Sequence, residues 1–182
     1  MAFCEKCGAK IPVEESNAQA AFKRGKQYYD NNDDDNAIKE FTEAIRLDPN
    51  YAMPYALRGN TWRIKDDYDQ AIKDCNEAIR LDQTIGWAYR FRGIAYQQKK
   101  QYSQAIKDLS EAIRLDPEYA YAHASRGLTY VDLGQNDMAR QDLMKALRLC
   151  PDNSEMQEVV KEELEKLGRK KASDTHSFKG EK

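Results

Sequence analysis

The sequence predicts an all-α solenoid, in which four helix–turn–helix repeats of 34 residues are followed by a capping helix. The segment EAIRLDP begins at Glu43 and Glu111, its first six residues recur from Glu77, and a less similar copy begins at Lys145, at a constant step of 34 residues. An Arg-Gly pair precedes each copy, at Arg24-Gly25, Arg58-Gly59, Arg92-Gly93 and Arg126-Gly127. Self-similarity at a fixed period indicates stacked units, each of which packs only on its neighbours.

Each repeat divides into a helix A and a helix B, joined by a polar turn. In helix A of the third repeat, Tyr89, Gly93 and Tyr96 fall on one helical face. Glycine lowers helix propensity by about 1 kcal/mol relative to alanine. Its recurrence in every repeat therefore predicts that two helices approach each other closely there. Proline ends helix B at Pro49, Pro117 and Pro151, whereas Gln83 takes that place in the second repeat and predicts a looser link.

These residues resemble the tetratricopeptide repeat family, over a repeat region of residues 17–153. The repeats are placed at about 18–51, 52–85, 86–119 and 120–153. In the third repeat the family positions fall on Tyr89, Gly93, Tyr96, Tyr102, Ala105, Ala112 and Pro117. The resemblance implies a right-handed α-solenoid of helical hairpins with a concave groove. It also implies a protein that binds other proteins or peptides and is not an enzyme.

The resemblance places helix A on the concave side, so we look for function on its outward face. In the third repeat that face carries Trp87, Phe91 and Ile94, which makes the helix apolar on two faces. The candidate peptide-binding groove comprises Lys23, Lys26, Met53, Leu57, Asn60, Arg63, Ile64, Trp87, Arg90, Phe91, Ile94, Tyr121 and Leu128. We expect a peptide with apolar anchors and acidic neighbours. The alternative is that a terminal segment or a second copy of the chain covers these residues.

Some family members bind the acidic C-termini of heat-shock chaperones through a clamp of Lys, Asn and Arg side chains. The matching positions here hold Phe22 and Lys26, then Leu57, then Trp87 and Phe91, so the clamp is not predicted. The repeated arginine stands one place later in each helix A. Because it recurs in every repeat, we expect it to tie neighbouring helices together by hydrogen bonds.

Residues 1–16 contain Cys4 and Cys7, a Cys-x-x-Cys pair followed by glycine. The segment resembles the first half of a zinc ribbon, whose metal needs four ligands. No second pair follows, so three interpretations stay open. Two copies of the chain could share one zinc ion, the pair could be the remnant of a lost metal site, or it could be a redox-active dithiol. Completion of the site by Cys75 and Cys150 is rejected, because Cys75 falls on the core stripe of helix B. Zinc is thus the one cofactor that the sequence leaves open.

The C-terminal part begins with a capping-box pattern at Ser154–Gln157. An apolar stripe follows, formed by Met156, Val159, Val160, Leu164 and Leu167. It predicts a helix over residues 154–168 that covers the exposed end of the fourth repeat and stops at Gly168. The polar residues 169–182 are expected to be disordered.

The composition of the chain and its motifs argue against several classes of function. The formal net charge of −2 argues against a nucleic-acid partner. Neither a long apolar run nor a secretory signal is visible, and the four cysteines suit a reducing compartment, so we expect a cytoplasmic protein without a membrane partner. No catalytic motif is present, and His123 is predicted to be a core residue. We therefore predict an interaction scaffold or adaptor, either monomeric or a zinc-bridged homodimer. The alternative function is that of a zinc-dependent dimeric regulator working through Cys4 and Cys7.

Overall fold

The computed structural model describes residues 2–3, 10–11, 16–150 and 154–177. Apart from an antiparallel two-residue ladder between β1 (Ala2–Phe3) and β2 (Lys10–Ile11), the described chain is helical. The helices are α1 (Asn17–Asp30), α2 (Asp34–Leu47), α3 (Ala52–Ile64), α4 (Tyr68–Leu81), α5 (Gly86–Gln98), α6 (Tyr102–Leu115), α7 (Ala120–Asp132), α8 (Asn136–Leu149) and α9 (Ser154–Ser177). The predicted helical-repeat solenoid is therefore confirmed.

The first eight helices pair as four antiparallel hairpins, each made of an A helix and the B helix that follows it. Each B helix also packs on the next A helix, and the A helices of adjacent repeats contact one another. Within the residues that the structure describes, no two B helices are in contact. The A helices α1, α3, α5 and α7 therefore line the inner, concave side of the solenoid, and the B helices form the convex side.

The links between repeats share one geometry. Asp82, which follows α4, is extended, and its carboxylate accepts hydrogen bonds from the amide and the hydroxyl of Thr84. Asp48 and Asp116 take the same conformation after α2 and α6. Because Asp82 closes the turn in the same way without a proline, the looser link expected at Gln83 is not seen.

The repeated glycines mark the closest approach of helix A to helix B. A Cβ atom added at Gly93 would lie 2.9 Å from Cγ of Leu109 and 3.3 Å from the backbone oxygen of Ala105. At Gly127 the corresponding distance to Cγ of Leu143 is 2.8 Å. The close helix approach predicted from the sequence is confirmed, and it explains why glycine is tolerated inside a helix at these positions.

The repeated arginine clips three helices together. Arg92 on α5 donates from Nε and Nη2 to the two carboxylate oxygens of Asp108 on α6, at 2.6 and 2.7 Å. Its Nη1 donates to Asn76 on α4, in the preceding repeat, at 2.6 Å. Arg58 and Arg126 repeat this arrangement. Burial by itself would lower the pKa of Arg92, but the hydrogen bonds and charge of Asp108 outweigh it and raise that pKa.

Helix α9 covers the end of the fourth repeat, as predicted. Met156, Val160 and Leu167 are buried in one core cluster with α7 and α8. The helix differs from the prediction in length, because it runs through Gly168 to Ser177. The residues after Gly168 include good helix formers such as alanine and lysine, which offset the low propensity of a single glycine.

Cys75 is a core residue. Its side chain is fully buried on α4, in the place that Phe41, Leu109 and Leu143 take in the other repeats. Burial is the main cause that raises the pKa of the Cys75 thiol to about 12. A buried, protonated thiol is neither a metal ligand nor a nucleophile, which agrees with the rejection of Cys75 as a zinc ligand.

Candidate peptide-binding groove

The residues predicted to form the groove lie on the A helices, but their exposure varies widely. Ile64 and Tyr121 expose 45% and 40% of their surface. Exposed Lys23 and Lys26 lie on α1, and the half-buried members are Met53, Leu57, Arg63, Trp87, Arg90, Ile94 and Leu128. The two buried members are Asn60, at 3%, and Phe91, at 9%. The exposed apolar surface of the groove is therefore contributed mainly by residues other than Phe91.

Phe91 supports the groove from below. Its ring packs edge-on against Trp87, with 5.6 Å between the ring centroids. The guanidinium carbon of Arg90 lies 5.6 Å from the Phe91 centroid. Phe91 thus helps to hold two groove side chains in place.

Arg90 stands in a cluster of aromatic rings at the centre of the inner face. Its guanidinium carbon lies 5.1 Å from the ring centroid of Tyr121 and 5.9 Å from that of Tyr119. Its Nε donates to the hydroxyl of Ser125 on the next A helix, at 3.4 Å. Cation–π contacts of this kind fix the plane of a guanidinium group. The sequence did not point to Tyr119, since it lies in the link before α7 and outside the helical periodicity.

Arg63 is the second arginine of the inner face. Its Nε donates to Oδ1 of Asn60 at 2.8 Å, and the Asn60 amide donates to the hydroxyl of Tyr29 on α1. Burial, and then the positive charge of Arg90, lower the pKa of Arg63.

Neither of these arginines has a carboxylate partner among the residues that the structure describes. By contrast, Arg58, Arg92 and Arg126 each pair with a buried aspartate. Arg63 and Arg90 therefore differ from the repeated arginines, because no carboxylate of the described residues forms an ion pair with either of them.

Two cavities flank the Arg90 cluster, each of about 250 Å³. The first lies between α7 and α9 and is lined by Arg90, Tyr121, Ala124, Ser125, Leu128, Met156, Val159 and Val160. The second is lined by Thr84, Gly86, Trp87, Leu115, Asp116 and Tyr119. The sequence did not predict that α9 lines the first cavity. An apolar stripe indicates that a helix packs against the fold, but it does not indicate which cavity that helix helps to line.

The remaining candidates for chemistry have structural roles or lie elsewhere. Cys4 and Cys7 lie outside the described residues. Within the part of the chain that the structure describes, no group of three or more His, Cys, Asp or Glu side chains is placed to hold a metal ion. His123 is buried, as predicted, with its ring nitrogens 3.2 Å from Asp142 and 3.1 Å from the Pro117 carbonyl oxygen. No described helix has the length and apolar character needed to cross a membrane.

A solenoid of stacked helical hairpins is the architecture of helical-repeat proteins, which commonly bind partners on their concave face. A family model of the TPR repeat matches residues 25–62 and 93–134, and a model of the tetratricopeptide repeat matches residues 54–85 and 120–153. The chain belongs to the tetratricopeptide repeat family, whose members generally bind protein or peptide partners and are not catalysts.

Solved structures agree with this assignment. A thermophilic TPR protein of Thermus thermophilus superposes with a TM-score of 0.75 and 25% identity, covering 84% of each chain. MamA gives a TM-score of 0.67 at 28% identity, covering 75% of this chain and 80% of MamA. The first TPR domain of Spaghetti (RPAP3), bound to the HSP90 peptide SRMEEVD, gives 0.61 at 26% identity, covering 66% and 93%. No curated protein matches the chain.

Proposed function

We propose that the protein is a non-catalytic scaffold or adaptor that binds a peptide or protein segment in its concave groove. The observation that carries this proposal is the exposed apolar surface of the A helices, where Ile64 and Tyr121 are 45% and 40% exposed and Tyr121 lines a cavity of about 250 Å³. An exposed apolar patch rimmed by polar groups is typical of an interaction site. The peptide held by the TPR domain of Spaghetti supports the class of ligand.

The chaperone peptide itself is not the proposed ligand. The clamp positions hold Phe22, Lys26, Leu57, Trp87 and Phe91 in this chain, and Lys26 already pairs with Asp30 at 2.8 Å. Phe22 packs its ring against Phe41 and Tyr51, with centroid distances of 5.9 and 5.1 Å. An apolar ring at this place offers no donor to a terminal carboxylate, so we expect a peptide of a different sequence.

The groove is tested with peptides selected on the full chain from a random peptide library displayed on phage. Ile64→Asp should weaken binding of the selected peptides by about tenfold or more, because it places a charge in the apolar contact surface. Met144→Asp on the B helix α8 is the matched control, since Met144 is also 45% exposed. Fluorescence polarisation measures both affinities. Equal affinities of the two variants would exclude the groove as the binding site.

Phe91→Asp is unsuitable for this test. Phe91 is only 9% exposed, so an aspartate there would bury a charge and destabilise the fold. Circular dichroism should show that Ile64→Asp and Met144→Asp melt like the wild type, because both sites accept a polar side chain in water.

A zinc-dependent dimer formed through Cys4 and Cys7 stays the alternative. The observation that bears on it is the β1–β2 ladder, which pairs residues on either side of the two cysteines. If the alternative holds, native mass spectrometry should show a dimer with one zinc ion, and Cys4→Ser should abolish both. Cys150→Ser, which alters a cysteine far from the ladder in sequence, should change neither. A zinc-free monomer of the wild type would refute the alternative.

A further inference from the structure

We infer that the cavity between α7 and α9 binds one bulky apolar side chain of the partner segment, and that Arg90, which lines this cavity, binds the carboxylate of an Asp or Glu next to that side chain. This inference rests on the proposed function, since it names the chemistry that the groove recognises at its fourth repeat. Three features of the molecule support it: the size of the cavity, its apolar walls, and the charge of Arg90.

Two small residues of α7 leave room for the cavity. Ala124 and Ser125 line it, and they stand 34 residues after Arg90 and Phe91, so α7 is small at the two places where α5 is large. The cavity measures about 250 Å³. An apolar cavity of about 150 Å³ already admits benzene. The space between α7 and α9 therefore accommodates one bulky side chain of a partner.

The walls of the cavity are apolar and come from two helices. Leu128 on α7 lines it together with Met156 and Val160 on α9, and the two α9 side chains are buried in the core. Val159 lines it as well, but half of the Val159 surface is exposed. A partner side chain in the cavity would remove apolar surface of Val159 from water, which favours an aliphatic or aromatic side chain there.

Arg90 supplies the charge of the site. Among the described residues that line the cavity, Arg90 is the one with a charged side chain. No carboxylate of the described residues forms an ion pair with it, whereas Arg92 on the same helix pairs with Asp108 at 2.6 Å. A guanidinium group binds a carboxylate through parallel, charge-assisted hydrogen bonds. The complement of this cavity is therefore an apolar side chain beside a carboxylate.

The guanidinium group of Arg90 is held in place by uncharged partners. Its Nε donates to the hydroxyl of Ser125, which itself donates to the backbone oxygen of Tyr121. The Tyr121 ring lies 5.1 Å from the guanidinium carbon. These contacts restrict the side chain without neutralising its charge, so Arg90 loses less conformational entropy when it binds a carboxylate.

The position of Arg90 favours an acidic side chain over a C-terminal carboxylate. Helix α5, which carries Arg90, contacts α3 on one side and α7 on the other. A segment that covers the exposed Ile64 on α3 and reaches the cavity at α7 and α9 must therefore cross α5 on its way. The acid then lies within the segment, between the part that covers Ile64 and the apolar residue in the cavity.

The apolar half of the inference is tested with the phage-selected peptides and the full chain. We expect the selected sequences to share a Leu, Ile, Met or Phe next to an Asp or Glu. Val159→Asp should weaken their binding by about tenfold or more, because it places a negative charge in the wall of the cavity. Met144→Asp is the matched control, since Met144 is also exposed but lines neither cavity, and it should leave the affinity unchanged.

A double-mutant cycle tests the role of Arg90. Replacing the acid of the peptide with its amide should weaken binding to the wild type by about tenfold or more, as for the loss of a charge-assisted hydrogen bond. On the Arg90→Gln variant the acidic peptide and its amide should bind equally well. Arg46→Gln, which removes a positive charge from a side chain that is 67% exposed on α2, should preserve the difference.

The exposed Val159 gives a second measurement if Arg90→Gln melts early. Val159→Lys adds a positive charge to the cavity wall and should raise the ratio of the affinities for the acidic peptide and its amide severalfold, whereas Val159→Asp should lower that ratio. An unchanged ratio in both variants would show that the acid is bound away from the cavity, and would overturn the inference.

The remaining outcomes separate this inference from the proposed function. Peptides that lose affinity with Ile64→Asp but not with Val159→Asp would overturn the inference and leave the groove intact. Peptides that respond to Val159→Asp but not to Ile64→Asp would overturn the groove at Ile64 and keep the cavity. An acid-to-amide difference that persists in Arg90→Gln would overturn the assignment to Arg90. Weaker binding after amidation of the peptide C-terminus would overturn the internal position of the acid.

Discussion

Asp108→Ala should lower the free energy of unfolding by about 3–5 kcal/mol, the range for removing one partner of a buried ion pair. The Asp108 side chain is 6% exposed and that of Arg92 is 17% exposed. Without the carboxylate, the partly buried guanidinium group keeps its hydrogen bond to Asn76 and its contact with the Tyr89 ring, and no counter-charge among these partners. The effect is measured by urea denaturation followed by circular dichroism at the helical minimum, a signal set by helical peptide bonds.

Glu40→Ala provides the matched control in the first repeat. Glu40 pairs with Arg24 at the same spacing, but the Arg24 side chain is 52% exposed. Exposed pairs contribute about 0–1 kcal/mol, so this substitution should have a small effect. If Asp108→Ala and Glu40→Ala destabilise the protein equally, burial does not give the Arg92–Asp108 pair the stabilising role that its geometry indicates.

The arginine clip shows how far the sequence leads. An arginine recurs at the position of Arg92 in every repeat, which predicted that its side chain holds neighbouring helices together. The structure confirms that Arg92 joins neighbouring helices. The partner, Asp108, could not be chosen from the sequence, because a 16-residue separation becomes a contact only once the turn between α5 and α6 has set the angle of the hairpin. Periodicity specifies the face of a helix, whereas the pairing of side chains depends on the packing of two helices.

The groove was predictable to a similar degree. The periodicity placed Ile64 and Tyr121 on the outward face of helix A, and both are exposed there. It also placed Phe91 on that face, where the structure buries it between Trp87 and Arg90. The A helices of adjacent repeats contact one another, and Phe91 lies near the middle of α5. The helical periodicity of one repeat carries no information about how the neighbouring side chains cover such a position.

The sequence could not predict which residues outside the periodic pattern line the cavities. Tyr119 lies in a link, and Met156 lies on a helix whose direction depends on packing. Both help to line the cavities beside Arg90. The lack of a counter-charge at Arg63 and Arg90 among the described residues is also a property of the folded chain, because the sequence contains many carboxylates that could have reached them.

Gly93→Ala and Gly168→Ala should have opposite effects on stability, although the substitution is the same and both glycines lie in helices. At Gly93 the new Cβ would lie 2.9 Å from Cγ of Leu109, at the branch point of that side chain, and 3.3 Å from a backbone oxygen. Leu109 is fully buried, so its side chain has no free space to move into, and the backbone oxygen is fixed in α6; helices α5 and α6 must therefore separate. Overpacking of this kind lowers the free energy of unfolding by about 1–3 kcal/mol.

At Gly168 no heavy atom lies within 4 Å of the added Cβ. Only the helix propensity changes there, and it favours alanine by about 1 kcal/mol. Urea denaturation of the two variants beside the wild type should therefore move the midpoint down for Gly93→Ala and up for Gly168→Ala. A midpoint for Gly93→Ala at or above that of the wild type would mean that α5 and α6 are not in the close contact that the repeated glycine permits. A midpoint for Gly168→Ala below that of the wild type would mean that α9 does not continue as a helix through residue 168.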